Sequence, residues 1–267
     1  PFEFERFAGP GDVSLVVKPR PPEAHKSDFG RLLVIGGSEV FFGAPTLVAL
    51  AALRTGVDLA YIAAPQKTAI AISSMSPNLI TLKLEGEHLS PRNTAVIKRH
   101  LETSTAVVMG PGLGLHKETQ DAVNEIVELI EKKGIPLLLD ADGLKAFAKH
   151  KRKATFPLVL TPHAGEYQIL TEKQPPTDLT KRAEEVQKTA RSLNAVVLLK
   201  GNVDVISDGE QVKLNFTGNP GMTVGGTGDT LSGIVGAFLS QGANPFEAAV
   251  AGAFINGAAG DFVRSDK

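Results

Sequence analysis

The chain contains no cysteine, which excludes disulfides, thiol nucleophiles and cysteine-ligated metal. No apolar run approaches the roughly 18 to 20 residues needed to cross a bilayer. No secretory segment opens the chain, and that fits a cytoplasmic protein. No basic block is present either: 28 Lys and Arg residues face 29 Asp and Glu, for a formal net charge of −1, so no nucleic-acid partner is expected. The six histidines, at 25, 88, 100, 116, 150 and 163, lack the spacing of a zinc site. What remains is a globular composition of 267 residues, 42% hydrophobic and 21% charged. That length suits one large α/β domain and would also allow two.

The chain opens on Pro1 and closes on Arg264-Ser265-Asp266-Lys267, and both ends read as cut. The first thirty residues, with Gly9-Pro10-Gly11-Asp12 and Lys18-Pro19-Arg20-Pro21-Pro22, read as an extended connector rather than a core element. Residues 1–24 are therefore expected to be an N-terminal arm or interdomain linker, ahead of a domain over 25–267.

From Arg31 the chain alternates strand and helix. Apolar runs at Leu32–Ile35, Leu59–Ala64, Leu79–Leu84, Ala106–Met109, Pro136–Leu139, Leu158–Leu160 and Ala195–Leu199 read as strands; they lack polar alternation, so both faces should be buried in a mostly parallel sheet. Ala44–Arg54, Thr94–Leu101, Lys117–Lys133 and Thr180–Ser192 read as helices. Asp208-Gly209 between Asp204–Ser207 and Gln211–Leu214 signals a hairpin with a type I′ turn. The implied architecture is a three-layer α/β domain, a central sheet flanked by helices, with glycines and polar residues gathered after strand ends where such sheets bind ligands.

The strongest motif runs from Asn219 to Leu239. Four glycines, at 221, 225, 226 and 228, precede an apolar helix, and the free N–H groups of that helix's first turn attract an anion. Gly226, Thr227 and Gly228 are the candidate anion cradle. Asp229 is then either a base taking a proton from an attacking hydroxyl or an ordinary helix cap.

The other loops carry less specific signals. Gly36-Gly37-Ser38 lacks the GxGxxG spacing of a dinucleotide fold; Gly43-Ala44 either admits a flat ligand or packs a helix. Three glycines and a proline within Gly110–Gly114 suggest close approach of a ligand to the backbone. In Thr161-Pro162-His163-Ala164-Gly165-Glu166, the Glu either organises a hydrated magnesium ion or closes a capping box with a Thr-like cap. Asp140 and Asp142 are metal-linked or a cap and turn. Lys200-Gly201-Asn202-Val203-Asp204 follows a buried strand and is compatible with nucleotide contact.

As an ordered set, Val34–Ser38, Gly110–Gly114, Asp140–Gly143, Thr161–Glu166 and Asn219–Asp229 strongly resemble the ADP/ATP-dependent NAD(P)H-hydrate dehydratases of the ribokinase-like superfamily, over roughly residues 25 to 263. The resemblance implies a ribokinase-like fold and repair of the (S)-epimer of NADHX or NADPHX to NADH or NADPH, with ADP or ATP as phosphoryl donor and Mg²⁺ as cofactor. It implies Asp229 as catalytic base, with Ala44, Gly112, Gly114, His163 and Asp229 on the hydrated cofactor. Lys200, Gly201, Asn202, Val203, Asp204 and Gly228 would surround the nucleotide, Gly226, Thr227 and Gly228 would form the anion hole, and Glu166 would meet magnesium through water. It further implies a homo-oligomer, tetramer or octamer, and an arm like the join to an upstream epimerase domain. A vitamin-precursor kinase of the same superfamily would share the anion-binding turn; a non-catalytic nucleotide sensor would have no need of a base at position 229.

Overall fold

The computed structural model describes residues 6–265. The terminal readings at Pro1 and at Asp266-Lys267 lie outside the described residues. Among the described residues nine strands form one sheet: Arg31–Ile35 (β1), Leu59–Pro65 (β2), Ile80–Leu84 (β3), Ala106–Met109 (β4), Leu137–Leu139 (β5), Leu158–Leu160 (β6), Val196–Leu199 (β7), Asp204–Ser207 (β8) and Val212–Asn215 (β9). The helices are Pro10–Val16 (α1), Gly43–Arg54 (α2), Gln66–Ser73 (α3), Thr94–Leu101 (α4), Lys117–Lys133 (α5), Ala141–Ala148 (α6), Ala164–Thr171 (α7), Leu179–Leu193 (α8), Thr227–Ser240 (α9) and Pro245–Ser265 (α10).

Strand order is β3-β2-β1-β4-β5-β6-β7-β8-β9. The pairings from β3 through β7 are parallel, while β8 and β9 pair antiparallel. The central strands β4 to β7 are buried along their whole length, as their unbroken apolar runs require. Side chains alternate between the two faces of each strand: Leu33 and Ile35 enter a core with α4 to α8, whereas Leu32 and Val34 enter a second core with α2, α3, α9 and α10. The result is the expected three layers.

Three local expectations are corrected. The opening segment is not wholly extended, because Pro10 begins α1, Asp12 stands in its first turn, and Val16 is fully buried. Proline is well placed at the start of a helix, where its missing N–H costs nothing. The hairpin between β8 and β9 exists, but its turn is not type I′: Gly209 alone of the pair has positive φ, at +97°. The Asp208 carboxylate accepts the Glu210 and Gln211 amides at 2.9 and 2.7 Å, which spreads the connection over four residues, 208–211. The cap of α6 is Asp140 rather than Asp142. Among the described residues, no helix is long and apolar enough to cross a membrane.

Candidate active site

The parallel strands place their C-terminal ends on one rim, and the chain changes direction across the sheet between β1 and β4, the position where open α/β sheets leave a crevice. The loops after these two strands are joined there, with Gly37 N donating to Pro111 O at 2.9 Å. A Cβ on Gly112 would stand 2.9 Å from the Phe41 carbonyl oxygen and 3.5 Å from the Ala44 Cβ, so Ala44 and Gly112 are neighbours. Gly110, at φ +133°, has a packing reason of its own: a Cβ there would overlap the Asp140 carbonyl. The Gly114 amide is already used, donating to Asp142 Oδ2 at 2.9 Å.

Helix α9 begins without a side-chain cap. Its N-cap is Gly226, in the left-handed region at φ +96°, a conformation that favours glycine. Thr227 Oγ1 ties the turn back to Met222 O at 2.9 Å. The unpaired N–H groups of the first turn and the positive end of the helix dipole thus face the rim. Asp229 is the third residue of α9, not its cap. Burial, with the Asp140 charge second and Lys200 opposing, pushes its carboxyl up to about 6.

Beside it lies a cluster drawn from four elements. Asp140, 2% exposed, accepts from Ala141 N at 2.9 Å and Lys200 Nζ at 2.8 Å through Oδ1, and from Ser232 Oγ at 2.8 Å through Oδ2. Lys200 Nζ is also 3.8 Å from Glu166 Oε2. Burial disfavours the Lys200 ammonium, but Asp140, Glu166 and Asp229 outweigh it and hold its pKa above the usual lysine value. A Cβ on Gly228 would stand 3.4 Å from Lys200 Nζ, so the ammonium lies against the first turn of α9.

Glu166 closes a capping box, its Oε2 accepting His163 N at 2.9 Å. The cap, however, is His163 and not a Thr: its Nδ1 accepts from Gly165 N and Glu166 N at 3.0 and 3.3 Å. The His163 side chain is 59% exposed, with Nε2 directed to Glu166 Oε1 at 3.4 Å. The loop after β7 is held by Asp204, whose carboxylate accepts Gly201 N at 3.0 Å and Asn215 Nδ2 at 2.9 Å. Burial, only partly offset by these bonds and by Lys200, raises the Asp204 pKa.

Two features escaped the sequence reading. One is the bridge from Asp140 to Ser232 and Lys200; Asp140 and Asp142 do not act as a pair, because Asp142 turns away to Gly114 and to Lys145, 3.0 Å distant. The other is an open cavity of about 700 Å³ between the 219–227 turn, Leu47 and the face of α10 bearing Asn256, Gly260 and Arg264. A larger cleft of about 860 Å³ between α7 and α8 contains none of the candidate residues.

A mostly parallel sheet that ends in a glycine turn, with one acid in the first turn of an uncapped helix, makes this a ribokinase-like α/β protein. The NAD(P)H-hydrate dehydratase family model matches residues 32–267, and the chain belongs to that family. It is 48% identical, over 98% of its length and 52% of the relative's, to a bifunctional NAD(P)H-hydrate repair enzyme from Pyrobaculum aerophilum. It is 38% identical, over 96% of its length and 88% of the relative's, to an ADP-dependent (S)-NAD(P)H-hydrate dehydratase from Cenarchaeum symbiosum. Among solved structures it resembles an ADP/ATP-dependent NAD(P)H-hydrate dehydratase from Bacillus subtilis co-crystallised with ATP and Mg²⁺, at 29% identity and TM-score 0.81, covering 97% of this chain and 90% of that one. The chain spans about half the length of the bifunctional relatives it matches.

Proposed function

We propose that the chain dehydrates (S)-NADHX or (S)-NADPHX to NADH or NADPH at the expense of ADP or ATP. The observation that carries this reading is the partly buried Asp229 carboxyl, raised to about 6, at the uncapped N-terminus of α9. Such a group is ionised at neutral pH yet retains proton affinity, the compromise a general base needs.

The chemistry follows from the leaving group. Hydroxide departs poorly from the hydrated ring, whereas phosphate departs readily. Asp229 takes the proton of the ring hydroxyl as its oxygen bonds to the terminal phosphorus, and the bond from that phosphorus to the bridging oxygen breaks, releasing AMP from ADP or ADP from ATP. Cleavage of the ring C–O bond then expels phosphate while a ring proton is lost, restoring the double bond. The amides of Gly226, Thr227 and Gly228 stabilise charge on the transferred group, since positioning and electrostatics carry most of such a reaction. Ala44, Gly112, Gly114 and His163 face the hydrated cofactor in this reading, and residues 200–204 with Gly228 surround the nucleotide.

Magnesium belongs to the same proposal. No group of three or more His, Asp or Glu side chains able to cage an ion occurs among the described residues, so the donors fit an ion held mainly by nucleotide phosphates and water. Glu166, 3% exposed, keeps acceptor capacity for such a water. When bound, the ion draws negative charge from the phosphate oxygens.

The domain over 25–267 is assigned this activity, residues 1–24 the role of an N-terminal arm or interdomain linker, and no epimerase activity is placed in these residues. A homotetramer or octamer completes the proposal, with light scattering as its test. The deciding assay incubates the purified chain with NADHX, Mg²⁺ and either ADP or ATP while NADH absorbance is followed. Nucleotide-dependent growth of the signal is expected; phosphorylation of a vitamin precursor without NADH recovery would favour a kinase, and nucleotide binding without turnover a sensor.

A further inference from the structure

We propose that Asp140, braced by Ser232, is a positioning residue that pins the Lys200 ammonium against the first turn of α9, so that Lys200 meets the transferred phosphoryl group. This rests on the reading above that a phosphoryl group occupies that turn.

Lys200 leaves β7 with its backbone fixed, its N–H donating to Pro162 O at 2.8 Å. Its long side chain could otherwise sample many rotamers. Instead Nζ is held 2.8 Å from Asp140 Oδ1 and 3.4 Å from the point where a Cβ on Gly228 would stand. Gly228 thus presents backbone alone, without a side chain to separate the ammonium from whatever binds the helix terminus.

Asp140 is held in turn from two sides. Ala141 N fixes Oδ1 from within its own loop, and Ser232 Oγ fixes Oδ2 from α9. Ser232 is fully buried and lies three residues beyond Asp229, on the same side of the helix. One carboxylate therefore ties the lysine and the helix that carries the base into a single frame. Ala141 adopts φ +47°, an unfavourable conformation for a residue with a side chain, maintained where surrounding structure over-determines it. Without Asp140, Nζ would retain Glu166, at 3.8 Å, as its neighbour across the cluster.

A fixed ammonium of this kind acts as a compact charge on phosphate oxygens. Charge that is oriented beforehand costs no reorganisation during transfer. A buried ion pair that merely joined β5 to β7 would instead affect folding and leave the transfer step alone.

The test is a double-mutant cycle in the full chain with Asp140→Asn, Lys200→Met and both together. Affinity for ATP is read by calorimetry, kcat and KM with NADHX by absorbance, and melting temperature alongside. Asp140→Asn should weaken ATP binding and lower kcat at least about tenfold, as loss of an oriented charge does, with KM for NADHX within about threefold. In the Lys200→Met background it should add less than about twofold, because both substitutions remove one unit. Ser232→Ala keeps the carboxylate and serves if Asp140→Asn does not fold: a loss of about threefold in kcat that vanishes in the Lys200→Met background is expected. Multiplicative losses, or a lowered melting temperature with unchanged kcat and ATP affinity, would overturn the proposal. Wild-type protein that neither binds ATP nor yields NADH would sink the underlying functional reading, whereas active wild-type protein with independent losses would sink this inference alone.

Discussion

Lys200 Nζ and Asp140 Oδ1 stand 2.8 Å apart although sixty residues separate them along the chain. The pair sets opposing influences beside Asp229: Asp140 raises that carboxyl and Lys200 lowers it, with burial the largest cause and the net result about 6. The strand ends therefore tune the helix terminus as well as framing it.

Asp229→Asn keeps the size of the side chain and removes its capacity to accept a proton. Turnover of NADHX should fall by roughly 10²–10⁴, the usual cost of losing a general base, while ADP affinity measured by calorimetry stays within a few fold. Near-normal turnover would remove Asp229 from the mechanism.

The sign of the pH dependence follows from the same group. A base works when ionised, so kcat/KM should rise with pH through an apparent pKa near the value of about 6 and level off above it. Asp140→Asn removes the neighbouring negative charge that raises this carboxyl. The residual activity of that variant should accordingly show its acidic limb at lower pH, measured as a kcat/KM profile from about pH 5 to 8.

Much of this arrangement is local and therefore legible in the sequence. The strands announce themselves as unbroken apolar runs, and the glycines at 225, 226 and 228 with Asp229 declare an anion-binding turn without reference to any distant residue. What stays hidden is non-local or chemically disguised. Positions 140, 200 and 232 meet only after folding. Residues Gln66–Ser73 form α3 with little helical periodicity to mark it. His163 takes the capping place usually left to Ser, Thr, Asp or Asn. The arm conceals α1 behind a Gly-Pro-Gly-Asp segment that spells a turn equally well.

Asp229 should also weigh against stability. Its carboxyl lies above the ordinary aspartate value of 3.8, at about 6, so the folded state holds the proton more tightly than the unfolded state does. Stability therefore falls as pH rises between those values. Asp229→Asn should give no gain below about pH 4 and a growing gain up to about pH 6, constant above it. The full shift would correspond to about 3 kcal/mol, but the group is partly exposed and solvent screening reduces this to about 1 kcal/mol. Denaturant melts of both proteins at about pH 4 and 8 measure the difference; an equal gain at both would mean that ionisation is not its source.

Glycines on the rim should separate sharply by what surrounds them. At Gly110, φ is +133° and a Cβ would collide with the Asp140 carbonyl, with the Gly143 nitrogen a further 2.8 Å contact. Both obstacles are backbone and cannot rotate aside, so Gly110→Ala should cost about 3 kcal/mol or more. It would also displace Asp140, and through it Lys200. At Gly225 a Cβ would meet nothing within 4 Å, and Gly225→Ala should change stability by less than about 0.5 kcal/mol. Urea midpoints of the two variants check the contrast. Comparable losses at both positions would mean that the turn before α9, and not the crossing of β4 with the Asp140 loop, is where this rim is tightest.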